Sequence, residues 1–161
     1  MIYSFDPIFD ENSKALILGS MASVKSLEEG FYYMHPRNRF WKTIGEVAGS
    51  EVPGSIEGKK AWLKANNIAL MDIIYSCERN GSLDSDIKKV VPNDITKVLK
   101  TANIKGIFCN GKKSFEIAKK TYPDLQFICL PSTSPANAGG WNKDEWMKVR
   151  GCLTDNRDLQ N

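Results

Sequence analysis

Histidine is nearly absent from this chain, which has a single one, His35, among 161 residues. A mixed Cys/His zinc site has too few imidazoles to form, and the four cysteines, Cys77, Cys109, Cys129 and Cys152, make no C-x-x-C pair. Two of these cysteines sit inside apolar strand-like runs, so the set reads as reduced core thiols. No metal and no cofactor is expected. No apolar run approaches the roughly 20 residues that span a bilayer. The N-terminal stretch carries Asp6, Asp10 and Glu11 where a secretory signal would be basic. A cytoplasmic protein with no membrane partner is expected. The G-x-x-x-x-G-K-[ST] and G-x-G-x-x-G spacings are also missing, which removes the commonest nucleotide-cofactor readings. There are no internal repeats and no low-complexity linkers. The whole of 1–161 is therefore expected to be one domain, and nothing suggests an obligate partner, so a monomer is expected.

What the chain does contain is an ordinary globular composition, 42% hydrophobic and 25% charged, with a formal net charge of +3. That balance permits nucleic-acid binding without demanding it. Strand-like and helix-like segments alternate, the pattern of a mainly parallel sheet with helices on its faces. Strands are expected at 15–19, 68–74, 104–109 and 126–130. Helices are expected at 38–47, 56–65, 112–120 and 143–153, with a further one opened by Pro92 and running to 101. Each strand runs into a loop of small or amide-bearing residues. Parallel strands point the same way, so these loops meet along one edge, where open α/β sheets bind ligands. Gly19-Ser20, Asp72 to Ser76, Asn110-Gly111 and Ser132 to Asn137 are thereby expected to form one site. Asp72 and Glu78 are the acids expected at this edge. Asp84 and Asp86 are expected to cap or solvate the next segment.

The densest cluster of chemistry lies at 30–41, Gly-Phe-Tyr-Tyr-Met-His-Pro-Arg-Asn-Arg-Phe-Trp. Aromatics beside arginines suit a stacked base and its phosphates. Tyr32 and Tyr33 are adjacent, so one can pack inward while the other faces a pocket. His35 is either a general base or a structural residue that holds the loop. Asn38 stands where a helix begins, and asparagine is a favoured N-cap. Arg37 and Arg39 flank it on the ligand edge, where phosphates would be attractive. Gly19-Ser20-Met21-Ala22-Ser23 reads as a tight turn that brings backbone close to a ligand. Pro131-Ser132-Thr133-Ser134-Pro135 is a rigid hydroxyl-rich turn able to grip a nucleic-acid backbone.

At these residues the chain resembles the uracil-DNA glycosylase superfamily. Residues 15–23 resemble its first motif, 31–41 the mismatch-specific branch, and Leu130-Pro-Ser-Thr-Ser-Pro-Ala-Asn137 its second motif. The deoxyinosine (hypoxanthine) glycosylase branch is the nearest likeness, also through Ser76 to Arg79 and Gly81 to Ser85. The resemblance implies a three-layer α/β/α sandwich around a mainly parallel four-stranded sheet, and a partner that is DNA containing deaminated bases. It implies that Asn38 is catalytic. Gly19, Ser20, Met21, Tyr33, Asp72 and Asn110 would hold the base. Ser23, His35, Arg37, Arg39, Ser132, Thr133, Ser134 and Asn137 would hold the DNA. Met21 stands where most relatives place a water-orienting Asp or Asn, and Leu130 where others have a second-motif His. Ala22 replaces a proline common in the branch. Two other readings stay open: a mismatch-specific uracil or thymine glycosylase, and a module that binds DNA or a nucleotide without cleaving it.

Overall fold

The computed structural model describes residues 1–154, and residues 155–161 of the expected domain lie outside the described residues. In chain order the strands and helices are β1 (Ile2–Tyr3), β2 (Ala15–Gly19), α1 (Val24–Glu29), α2 (Phe40–Ala48), α3 (Ile56–Ala65), β3 (Ile68–Asp72) and β4 (Ile74–Glu78). They continue as β5 (Lys88–Pro92), α4 (Thr96–Thr101), β6 (Gly106–Asn110), α5 (Lys112–Thr121), β7 (Ile128–Leu130), α6 (Lys143–Trp146) and α7 (Arg150–Leu153).

Runs such as Ala-Leu-Ile-Leu-Gly and Ile-Ala-Leu-Met-Asp are apolar on both strand faces, and both β2 and β3 are buried throughout. They pair in a four-stranded sheet of order β3-β2-β6-β7, with β2 and β6 at its centre and every pairing parallel. Alternate residues face two separate cores. Ile17, Leu70 and Phe108 pack with Phe40, Ile44, Leu63 and Trp146 on one side. Leu16, Leu18, Met71 and Cys109 pack with Ile95, Val98 and Ala118 on the other. This is the expected three-layer α/β/α sandwich. The register sets Gly19 opposite Asp72 and Asn110 opposite Leu130, so the carboxyl ends of all four strands finish on one edge.

Several boundaries and one whole layer differ from the sequence reading. The strand expected at 68–74 stops at Asp72, and Ile74 begins β4. With β1 and β5, β4 forms a second, antiparallel sheet in the order β1-β4-β5. Ile73 to Ser76 therefore turn away from the ligand edge. Pro92 ends β5 opposite Ile74 rather than opening a helix. The helix starts at Thr96, whose N–H and hydroxyl both donate to Asp94 Oδ1 (2.9 and 2.6 Å). The short α1 lies outside the helices expected from the sequence. The segment 143–153 is broken into α6, a 3₁₀ turn at Met147–Val149, and α7. All four cysteines are free thiols, as expected.

Candidate active site

A cavity of about 830 Å³ opens on the carboxyl edge of the parallel sheet. Its floor is made by strand ends. Gly19 closes β2, and a Cβ there would lie 2.6 Å from the Tyr33 hydroxyl oxygen and closer still to Asp72 Oδ1. Only glycine leaves room for these two side chains to converge. Asp72 is 2% exposed, and neither its Oδ2 nor the Tyr33 hydroxyl has a hydrogen-bond partner among the described residues. Unmatched buried polar atoms cost free energy, and both residues belong to the lining of the cavity. Burial raises the Asp72 carboxyl to about 7; Arg79 opposes this rise and Asp84 adds to it. Asp72 thus holds a proton up to near-neutral pH. Burial also pushes the Tyr33 phenol up, with Asp72 adding to the effect, so it stays neutral.

Tyr33 reaches this position through a left-handed backbone, φ 54°, a conformation uncommon for a bulky residue. Its neighbours hold it there. Ser26 is buried beneath the turn, and its hydroxyl accepts the Met34 N–H at 2.9 Å. Tyr32 points into the core, its hydroxyl donating to the carbonyls of Phe5 and Asp6 (3.0 and 2.9 Å). The Tyr33 ring lies on Phe40, centroids 4.2 Å apart. Both tyrosines are on the cavity lining, Tyr32 as a buried residue tied to the core and Tyr33 as a half-buried one.

Asn38 lines the same cavity two residues before α2. Its Oδ1 accepts the Phe40 N–H at 2.9 Å, and its own N–H donates to the His35 carbonyl at 2.9 Å. A carbonyl oxygen has a second lone pair, so the cap and a water can be held together. His35 Nδ1 accepts the Arg37 N–H at 3.1 Å. His35, Arg37 and Arg39 do not line the cavity. Arg39 instead ties two loops: Nη1 donates to the carbonyls of Ser134 and Asn137 (3.2 and 3.4 Å), and its guanidinium lies over Trp141.

The hydroxyl-rich turn forms the wall opposite. Asn110 and Thr133 bind each other twice: Asn110 Nδ2 donates to Thr133 Oγ1 and the Thr133 N–H donates to Asn110 Oδ1, both at 3.0 Å. Thr133 is fully buried, so it shapes the wall from behind. Ser132 Oγ and Ser134 Oγ accept N–H groups of Ser134 and Ala136 (both 3.2 Å), which leaves their O–H free to donate outward. Asn137 Nδ2 donates to the Ser132 carbonyl at 3.0 Å. Ser23 caps α1, accepting the Ser26 N–H at 3.1 Å. Met21, 8% exposed, adds an apolar patch beside the floor.

Three parts of the site lie beyond the sequence reading. Ser82, Leu83 and Asp84 line the cavity, and Asp84 Oδ1 accepts the Ser20 hydroxyl at 2.8 Å. Asp84 therefore belongs to the site. Glu78 does not line the cavity and instead pairs with Lys89 at 3.4 Å. Glu145 is a further acid on the lining. Lys112 and Lys113 also line the cavity, in the first turn of the ten-residue α5. Their position directly after Asn110-Gly111 was the available signal, since a helix start adds its own positive field.

A cavity at the end of a parallel sheet, walled by a hydroxyl turn and lysines, is the arrangement of a nucleic-acid base-processing enzyme. Residues 7–151 match the family model described as the uracil DNA glycosylase superfamily, and the chain belongs to that superfamily. It is a DNA glycosylase, a hydrolase of N-glycosyl bonds. A curated protein of Methanosarcina barkeri named hypoxanthine DNA glycosylase is 36% identical over 114 residues, covering 70% of this chain and 72% of its own. One of the same name from Methanosarcina acetivorans is 35% identical over 140 residues, covering 83% and 86%. The solution NMR structure of a Methanosarcina acetivorans protein described as a candidate uracil DNA glycosylase superposes with a TM-score of 0.79. It is 31% identical, with 99% of this chain and 98% of that chain covered. No helix among the described residues is long and apolar enough to cross a membrane.

Proposed function

We propose that this protein excises hypoxanthine from deoxyinosine in DNA, as a monofunctional, monomeric, cytoplasmic enzyme of base excision repair. The observation that carries the reading is the cavity floor, where Asp72 and Tyr33 lie on the lining and Asp72 Oδ2 and the Tyr33 hydroxyl have no hydrogen-bond partner among the described residues. A protonated carboxyl offers an O–H beside a C=O. The Watson–Crick edge of hypoxanthine offers a ring N–H beside a C=O, so the two close a pair of hydrogen bonds. The names of the two Methanosarcina relatives support the same substrate.

A base inside the stack cannot reach this floor, so the target nucleotide swings out, at a cost of a few kcal/mol that a mispair reduces. Tyr33 stacks on the extruded base, contributing about 1–3 kcal/mol. Ser132 and Ser134 donate to flanking phosphates, with Ser23 at the facing loop. Asn38 holds a water below C1′ of the sugar. An amide is a weak base, so Asn38 acts by position and by stabilising the oxocarbenium-like state as the base departs. Water adds its oxygen to C1′, the C1′–N9 bond breaks, and its electron pair leaves with the base, which takes up a proton.

Uracil carries the same N–H and C=O edge, so the floor also fits the uracil reading. Strand cleavage after alkali distinguishes the two on duplexes carrying one deoxyinosine, deoxyuridine, deoxyxanthosine or G·T mispair. Cleavage mainly at deoxyinosine is expected. Cleavage confined to uracil or thymine overturns the hypoxanthine assignment, and binding without cleavage overturns catalysis.

The two lysines give a separate expectation. Lys112→Ala/Lys113→Ala should weaken binding to all duplexes alike and flatten the plot of log affinity against log salt by about 2, roughly one per lost phosphate contact. Base preference should not change. Titrations from low to moderate salt check this.

A further inference from the structure

We propose that the end of the α4/α5 layer remote from the cavity is a second DNA-binding face, which grips a separate duplex segment while the cavity edge holds the first. The inference goes beyond the excision reading above and does not depend on which base is removed. Charge is spread unevenly along this chain. Residues 94–124 carry seven lysines against three acids, Asp94, Glu116 and Asp124, a surplus of four in a chain whose net charge is +3. Lys112 and Lys113 belong to the cavity. The other five, Lys97, Lys100, Lys105, Lys119 and Lys120, are all exposed. None of the five has an ion-pair partner among the described residues, whose pairs use lysines outside this segment.

The fold gathers these five at one end. Lys105 directly precedes β6, and its N–H donates at 2.7 Å to the carbonyl of Lys14, which directly precedes β2. β2 and β6 are parallel, so both lysines stand on the sheet edge opposite the cavity. α5 starts at the cavity, and Lys119 and Lys120 fall in its last turn. At 1.5 Å per residue, Lys120 lies roughly 12 Å along the axis from Lys112. Just past α5, the Tyr122 hydroxyl donates to the Asn93 carbonyl at 2.8 Å and accepts the Ile95 N–H at 3.2 Å. That bond pair brings α4, with Lys97 and Lys100, to the same end. Helix dipoles favour lysines in a last turn, as with Lys100, Lys119 and Lys120. They disfavour Lys97, in the first turn of α4, and do not concern Lys105. Asp94, the acid nearest α4, is already engaged by Thr96. Unpaired cations gathered on one face fit a row of phosphates, since duplex DNA carries one charge per about 1.7 Å of axis. The duplex at the cavity cannot supply that row. DNA is stiff, with a persistence length of roughly 150 base pairs, and would have to fold round the molecule from one sheet edge to the other. The occupant is therefore a second segment.

A protein that holds two segments at once passes from one to the other without being free in between. Its rate of leaving a labelled duplex then rises with the concentration of unlabelled duplex. The test follows that rate by stopped-flow fluorescence at low salt, with short undamaged duplexes. Lys97→Gln/Lys100→Gln/Lys119→Gln/Lys120→Gln is compared with wild type and with Lys42→Gln/Lys60→Gln/Lys88→Gln/Lys89→Gln, a control of equal net charge. Wild type and the control should leave about fivefold faster or more as competitor passes through the micromolar range where nonspecific contacts form. The α4/α5 variant should leave at one rate throughout, while its affinity for the first duplex stays within about twofold of the control. A variant that responds to competitor as wild type does overturns the second face, and so does a wild type that does not respond. A large loss of affinity in the variant alone also overturns it, because these lysines would then belong to the first footprint. Polyglutamate of matching charge should fail to speed departure; equal acceleration would replace DNA with an acidic protein as the occupant. If wild type exchanges duplexes in this way but cleaves none, the glycosylase reading fails while the second face stands.

Discussion

Asn38→Ala should abolish excision of hypoxanthine, with single-turnover rates falling by about 10²-fold or more, while duplex affinity stays within a few-fold. The size follows from removing one positioned polar group from a transition state, which commonly costs about 10²–10³. Binding should survive because the phosphate contacts proposed above are those of the hydroxyl turn and the lysines, with which Asn38 shares no hydrogen bond among the described residues. The same substitution also removes an interaction that has nothing to do with chemistry. Asn38 Oδ1 accepts the Phe40 N–H at 2.9 Å, and losing a bond of this kind at a helix start costs about 1 kcal/mol. A fall in Tm of about 2–4 °C is therefore expected for a chain of this size. Asn38→Asp separates the two roles, because its carboxylate still accepts the Phe40 N–H. Its Tm should match wild type, and its rate then reports the amide alone. Full activity in Asn38→Ala would remove Asn38 from the mechanism.

The second large effect belongs to Asp72 and appears as a change in pH dependence. In the mechanism proposed above the competent form is the protonated carboxyl, and burial raises its ionisation to about 7. Excision should therefore hold steady at acid to neutral pH and fall by about tenfold per unit at higher pH. Asp72→Asn keeps a donor beside an acceptor but cannot ionise. It should retain deoxyinosine cleavage and lose the alkaline fall, whereas Asp72→Leu should be inactive at every pH. Stability moves with the same group. The carboxyl is raised in the folded state from an ordinary value of 3.8, so its contribution is fully favourable at pH below that value and is lost as pH rises through about 7. At pH 8 the native protein holds a buried carboxylate with no ion-pair partner among the described residues. Asp72→Asn should accordingly raise Tm at pH 8 and change it little at pH 4, as thermal melts at the two values would show. A wild-type rate that rises through pH 7 would mean that the carboxylate, not the acid, meets the base, and a rate flat from pH 6 to 9 would remove this ionisation from the mechanism.

The sandwich was legible because its strands are short apolar runs ended by glycine or polar residues, and 15–19 was placed to the residue. The second sheet was not, for physical reasons visible in its residues. In β4 the chain alternates buried Ile74, exposed Tyr75 and buried Ser76 and Cys77, and β5 begins with two exposed lysines. Such strands carry too little apolar periodicity to stand out, and they depend on pairing with each other. Pro92 misled because proline suits a first helical turn as well as a strand end. The ligand edge followed from topology alone, and so did the inclusion of Gly19, Asp72, Asn110 and the hydroxyl turn. The convergence of Tyr33 on Asp72 was beyond reach, since it depends on a left-handed backbone at Tyr33 that no residue type signals. Arg39 was read as a phosphate ligand for its charge, yet its guanidinium joins carbonyls of the opposite wall.

The reciprocal bonding of Asn110 and Thr133 has a consequence for how this wall can change over evolutionary time. Each side chain is buried and each answers the other. Altering either one alone strands a polar atom without water, a penalty of about 1–3 kcal/mol, whereas replacing both with apolar groups of matching shape can be nearly neutral. A lineage can keep the pair or exchange it whole, but the intermediate is penalised from either side. The two positions, 23 residues apart in the chain, should therefore vary together among descendants, as one inherited character.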